Sequence, residues 1–414
     1  MAAGTKPPMS IPVRELAEKR AVRECLQWFT REKQWINEQH LALCRIPAPT
    51  FLEQQRAAWM AEQFRALGWL AEIDPAGNVV ARLGAGRGGP LVALTAHLDT
   101  VLAPRNKEDI AADPDGTFRG PGVSDNGAGL AALLAIARAV KLSPPFEDAN
   151  GELLLAANVG EEGEGNLSGM RYLARQSVVA SRITSYLVLD GPAVDRITSQ
   201  ALASRRFEVA FSGPGGHSWS DHGTANPVHA LSRAISRFTD HCADSQANGG
   251  SRRVSFNFGT IEGGISVNSI PTTARAKVDL RCDDGDALEG LAATLTEAVE
   301  RALDVENRRA SGAKLTAKIR EIGSRPGGKL AENAAILTCL RAVDSHLGIR
   351  ARIDLASTDA NVPLSLGIPA VSIGAGGQGG GAHTPGEWFH PEGRDLGLKR
   401  VLLTLAMLLR APAA

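Results

Sequence analysis

No apolar run in the 414 residues approaches the roughly 18 needed for a membrane-spanning helix. The segment Met1 to Arg14 lacks an apolar stretch of signal-peptide length, and Lys19, Arg20 and Arg23 interrupt the stretch after it. A charge excess is absent too. Lys plus Arg and Asp plus Glu number 45 each, so no net field draws in nucleic acid or an anionic membrane. Cysteine is scarce: Cys25, Cys44, Cys242, Cys282 and Cys339 are odd in number and far apart, with no spacing for a disulfide framework or a thiolate metal site. The expectation is a soluble, cytoplasmic protein whose partner is a small molecule or a short peptide.

The residues present are enough for two globular units, since 414 residues with 43% hydrophobic content exceed one compact core. Helical apolar spacing runs from Val13 to about Arg45 and again from Thr50 to Leu67, with Thr50 as cap and Gly68 as stop. Short apolar runs at Asn78–Leu83, Leu91–Ala96, Glu152–Val159 and Ser185–Leu189 read as strands, mostly buried and parallel. An Ala/Leu-rich helix from Gly127 to Val140 lies among them. This alternation predicts an α/β layer fold. From about Ala201 the rhythm changes. Strand-like alternation at Arg206–Phe211, Val254–Phe258, Ala274–Leu280 and Leu315–Ile319, with helices at Asn226–Phe238 and Asp286–Leu303, gives the β-α-β-β-α-β order of a ferredoxin-like α+β domain. The first rhythm then returns, with a helix at Ala331–Leu347, a strand at Pro369–Ile373 and an amphipathic closing helix at Leu396–Leu409. The predicted organisation is residues 1–200, an inserted domain at 201–322, and residues 323–414.

The chemistry-bearing residues fall where the apolar runs end. His97 and Asp99 close one strand and share a face, so one can bind a metal while the other orients it. Asp125 opens the Ala/Leu helix, where it or Ser124 would serve as N-cap, or where a carboxylate could bridge two cations. Glu161 and Glu162 come after a run too apolar for a sheet edge strand. One acid can ligate a metal while its neighbour acts as general base. Asp190 and His383 stand after two further strands. Open α/β sheets bind ligands outside the carboxyl ends of their strands. Five such placements in one chain point to a two-metal site.

The glycines from Gly374 to Gly379 formally match a dinucleotide fingerprint after a strand. That motif needs a helix next, and His383-Thr384-Pro385-Gly386 stands there instead, so a flexible hinge carrying His383 is the better reading.

At these residues the chain resembles the dinuclear zinc peptidase and deacylase family that includes peptidase T, carboxypeptidase G and acetylornithine deacetylase. The resemblance runs in order through Ala96-His97-Leu98-Asp99, Ser124-Asp125-Asn126, Gly160-Glu161-Glu162-Gly163, Leu189-Asp190-Gly191, Gly216-His217-Ser218, Val267-Asn268-Ser269 and Ala382-His383. It implies a zinc-exopeptidase-like sheet, largely parallel with helices on both faces, and an inserted lid or dimerisation domain. One metal would be held by His97, Asp125 and Asp190, the other by Asp125, Glu162 and His383. Asp99 would steer His97, Glu161 would move the proton of the attacking water, and His217 and Asn268 would stabilise the oxyanion. Asp190, rather than Glu, is similar to the peptidase T and carboxypeptidase G branches. Ala356-Ser357-Thr358-Asp359 departs from peptidase T by lacking its arginine before the Thr-Asp pair. Thr358 and Asp359, and Arg281 on its strand, are candidates for substrate contact. The resemblance implies hydrolysis of short peptides, as a di-/tripeptidase or aminopeptidase. A deacylase or deaminase acting on N-acyl amino acids or aromatic amines is the alternative, and a non-catalytic binding protein is a third. Zinc is expected, with manganese or cobalt acceptable to the same donors, and a homodimer through the inserted domain.

Overall fold

In the computed structural model, residues 12–83, 88–247 and 254–411 are described; most of the Met1 to Arg14 segment lies outside them. The chain divides into two compact units, residues 1–201 with 328–414, and residues 202–327. All five cysteines are free thiols. Among the described residues, no helix is long and apolar enough to cross a membrane.

The first unit is built on a nine-stranded sheet. Its centre runs Val79–Leu83, Glu152–Asn158, Leu91–His97, Ile183–Leu189, Ala370–Ile373 and Arg196–Ala201. The four strands from Glu152–Asn158 to Ala370–Ile373 are mutually parallel, which makes the sheet mixed but largely parallel, as expected. Every residue of Leu91–His97 and of Glu152–Asn158 is buried, because helices cover both faces and leave no solvated side to alternate with. The Gly127–Leu142 helix is buried almost all round.

Three expectations need correction. The first helical stretch is three helices, Val13–Glu18, Arg20–Arg31 and Lys33–Cys44. Lys19 leaves helical geometry at ψ 132°, and the breaks let each segment bury its own face: Leu16, then Val22, Trp28 and Phe29, then Ile36, His40 and Leu43. Tertiary packing overrides a locally continuous period. The second helix begins at Gln54, and Thr50 does not cap it; Gly68 does stop it, at φ +82°. The closing helix, Arg394–Leu408, is not amphipathic: Leu398, Arg400, Val401, Leu402, Leu405 and Ala406 are all buried. Arg400 inside it donates to Asp344 through Nε and Nη2, both at 2.6 Å.

The second unit is a four-stranded antiparallel sheet in the order Val254–Gly263, Thr273–Cys282, Ala203–Ser212, Thr316–Arg325. With strands taken in chain order this is 2-3-1-4, the ferredoxin-like arrangement. Ala274, Ala276, Val278 and Leu280 alternate inward and pack with Phe207, Val209 and Phe211 in a core completed by the helices Pro227–Ala247 and Gly285–Arg309.

Candidate metal centre

Because the four central strands of the first unit are parallel, their carboxyl ends lie along one edge. His97 ends one strand, Glu161 and Glu162 come shortly after Asn158, and Asp190 directly after Leu189. Asp125 precedes the Gly127–Leu142 helix. His383 lies between two short strands, Gln378–Gly380 and Trp388–His390, which pair antiparallel.

Asp125 sits between two imidazoles. Its Oδ1 is 3.0 Å from His97 Nε2 and its Oδ2 is 3.2 Å from His383 Nε2; the latter nitrogen is also 2.7 Å from Glu162 Oε1. Donor atoms of His97, Asp125 and Glu162 all lie within 4.8 Å of one another. Burial alone would raise the Asp125 carboxyl, but hydrogen bonds from His383 and His97 overcome it and hold it below the ordinary carboxylate range. Hydrogen bonds to Asp125 and then to Glu162 push His383 up to about 10. At His97, burial pulls downward and the carboxylates of Asp125 and Asp99 pull harder the other way. Asp190 is pushed up to about 7, by burial and then by the charges of Asp125, Glu162 and Asp359.

That pattern is what a cation site looks like when only the protein's own charges balance it. The imidazoles take up the role of counter-charge for Asp125, while burial and the neighbouring carboxylates raise Asp190. Two imidazole nitrogens and three carboxylates, crowded and largely buried, fit a pair of divalent ions by donor chemistry. His97 Nδ1 is 2.9 Å from the Asp99 carbonyl oxygen, which puts a proton on Nδ1 and leaves Nε2 as the nitrogen that would meet an ion. The Asp99 carboxylate stands 3.6 Å from that nitrogen, too far for a hydrogen bond. It accepts instead from the Glu161 N–H at 3.0 Å, the Glu162 N–H at 2.9 Å and the Thr50 hydroxyl at 2.9 Å. Asp99 therefore holds the Glu161-Glu162 backbone while its carbonyl orients His97. His383 is half-exposed, so His383→Ala should leave the fold intact and bind one ion fewer, read by elemental analysis after gel filtration.

Residues 93–407 match the model of peptidase family M20/M25/M40. The chain belongs to this family. Among relatives of this M20/M25/M40 chain are the succinyl-diaminopimelate desuccinylase of Cereibacter sphaeroides, 30% identical over 244 residues, and the cytosol non-specific dipeptidase of Escherichia coli, 28% identical over 295 residues. The matched stretches take in 57% and 63% of this chain and 60% and 56% of theirs. The chain thus spans less than two thirds of the curated relatives' length. A tripeptidase structure from Staphylococcus aureus superposes with a TM-score of 0.73 at 21% identity, covering 92% of this chain and 99% of that one. A dinuclear metal-binding M20 peptidase from Bacillus subtilis gives 0.65 at 15%, covering 92% and 99%.

Within this M20/M25/M40 chain, the helix cap is neither Ser124 nor Asp125 but Asn126, whose Oδ1 accepts from Gly129 N–H at 3.1 Å and from Gly191 N–H at 3.2 Å. Its Nδ2 donates to the Leu189 carbonyl at 2.8 Å, so one amide ties the Asp125 loop to the strand end that carries Asp190. The glycine run is no hinge. A Cβ on Gly374 would lie 1.9 Å from the Pro192 carbonyl oxygen, and one on Gly377 would lie 2.4 Å from the Phe389 ring, so these glycines serve close packing. His40, fully buried, contacts the Val123 carbonyl at 2.7 Å through Nε2 and Arg394 Nη2 at 2.8 Å through Nδ1. Burial, then the Arg394 charge, hold it neutral well below its usual 6.5. The unfolded chain therefore takes up a proton at His40 that the folded one refuses, and stability is lost as pH falls below about 6.5. The stability gap between wild type and His40→Gln, measured by urea denaturation, should accordingly shrink from pH 7 to pH 5.

Thr358 and Asp359 are buried. The Thr358 hydroxyl accepts from Ala360 N–H at 3.2 Å, and Asp359 accepts from Asn158 Nδ2 at 2.5 Å. In the second unit, His217 and Asn268 are brought together: the short strand Gly216–His217 pairs with Ser269–Ile270, and Ser218 N–H donates to the Asn268 carbonyl at 3.0 Å. His217 is exposed, and its Nδ1 accepts from the backbone N–H of Trp219 and Ser220, at 3.2 and 3.3 Å, which puts the proton of the neutral ring on Nε2. Arg281 donates to Asp279 at 2.6 Å, and Asp279 also receives Arg206 at 2.9 Å. The contact is made through Nε, one of the five N–H donors of the Arg281 guanidinium.

Proposed function

We propose that the chain is a metal-dependent amide hydrolase of the exopeptidase type, acting on short peptides with Glu161 as general base. The observation that supports this most is the convergence of His97, Glu162 and His383 around Asp125, with a second buried acid, Glu161, next to Glu162 in the chain. Two divalent ions, held by His97, Asp125 and Asp190 and by Asp125, Glu162 and His383, would polarise the amide carbonyl and lower the pKa of a water. Zinc suits these donors, and manganese or cobalt is compatible with them.

The chain's own groups supply the rest. Glu161, its backbone fixed by Asp99, accepts the proton of the attacking water and delivers it to the leaving amine. His217 Nε2–H and the Asn268 side chain donate to the oxyanion. A dimer through the second unit belongs to the same proposal, and a fully active monomer in sedimentation would remove it.

One observation favours a second reading. The desuccinylase relatives carry in their name an N-acyl amino acid, which supports a deacylase with the same proton path. Activity should be abolished by a chelator and restored by zinc, manganese or cobalt. The test that separates the readings is a panel of di- and tripeptides, their N-blocked and C-amidated forms, and N-acyl amino acids. Cleavage requiring a free amino end supports the peptidase, and cleavage of acyl substrates alone supports the deacylase. Silence throughout, with metal restored, overturns both in favour of a non-catalytic binding protein.

A further inference from the structure

We infer that Glu387 is a positioning residue that locks the loop carrying Asp125 to the turn carrying His383; this rests on the two-metal reading of the site. Glu387 is buried, 3% exposed, and lies in the same turn as His383. Its carboxylate accepts three backbone N–H groups of the other loop: Gly122 on Oε2 at 2.7 Å, and Ser124 and Asp125 on Oε1 at 2.7 and 2.8 Å. Its carbonyl accepts from Gly120 N–H at 3.1 Å.

The backbone beyond continues the connection. Trp388 and Phe389 pair with Arg119 and Phe118, the residues that lead into the Asp125 loop. On the His383 side the turn is closed by Thr384 N–H to the Gly381 carbonyl at 3.1 Å and Glu387 N–H to the Thr384 carbonyl at 3.3 Å. Two segments far apart in sequence thus become one rigid piece, and each presents a donor to the same proposed ion.

Chemistry selects a carboxylate here. Three donors must be met by two oxygens with no hydrogen of their own, and only an ionised acid offers that. A glutamine would supply one acceptor and turn an NH2 group toward a backbone N–H. Asp125 aims one oxygen at each imidazole, so small shifts of its loop misalign both, and groups behind a ligand commonly change metal affinity about 10–100-fold. The ion held by Asp125, Glu162 and His383 depends on Glu387 through two of its donors, and the other ion through one. Losing Glu387 should therefore weaken the first of these more than the second.

The test is zinc titration of the full chain against a chromophoric chelator, with elemental analysis and thermal denaturation alongside. Wild type should bind two ions. Glu387→Gln should hold one ion about 10–100-fold more weakly and the other with a clearly smaller loss, and Glu387→Asp should fall between wild type and Glu387→Gln. Leu405→Ala, a core change in the last helix, should lose thermal stability yet bind both ions normally. Wild-type affinities in Glu387→Gln overturn the inference, and so does equal loss of the weaker ion in Leu405→Ala, which would make the effect one of general stability. If Glu387→Gln does not fold, Glu387→Asp decides, and unchanged binding there overturns the inference. A wild type that binds fewer than two ions overturns the metal reading and this inference with it, a result distinguished by involving no variant.

Discussion

Glu161→Gln is expected to bind both ions and to turn over about 10²–10⁴-fold more slowly, the range for removing a general base. The side chain is buried, stands just beyond the strand Glu152–Asn158 and neighbours Glu162, whose carboxylate meets His383. That contact engages Glu162 and leaves Glu161 as the acid proposed to handle the proton. Glutamine keeps the shape and loses the proton acceptor, so kcat should fall with KM little changed. Elemental analysis and steady-state kinetics on the same preparation check both halves, and a metal-depleted variant would reassign Glu161 as a ligand.

The largest stability effect should come from a pair that takes no part in the chemistry. Arg400 is fully buried and Asp344 nearly so, joined by two parallel hydrogen bonds at 2.6 Å. Removing one partner strands a charge in the core, which commonly costs about 3–5 kcal/mol. Asp344→Ala or Arg400→Leu should show that loss in chemical denaturation. The double change to leucine should recover much of it, because an apolar pair leaves no uncompensated charge. Equal losses in single and double variants would show that packing, and not the charge, dominates at this position.

His97, Glu162 and Asp190 were legible because they stand at or shortly after the ends of apolar runs, and parallel strands bring such positions to one edge. The ferredoxin-like strand order was legible for a similar reason: Arg275, Lys277, Asp279 and Arg281 alternate with apolar residues along a strand wetted on one face. The groups that hold the donors were not. Thr50 reads as a helix cap and serves Asp99 instead, and Asn126 stands beside two better-known capping candidates. Glu387 acts on backbone N–H groups as far as 265 positions away, where composition and period carry no signal. Arg400 made the last helix read as amphipathic, since a sequence does not show that a charge is met inside the core.

The donors also have an order of synthesis. His97, Asp125, Glu162 and Asp190 leave the ribosome first, and the whole of residues 202–327 must be made before Ala370–Ile373, His383 and Glu387 emerge. A nascent chain can assemble part of the centre but cannot close it. On the proposed function, a peptide-cleaving activity stays silent until the residues through Glu387 have been made.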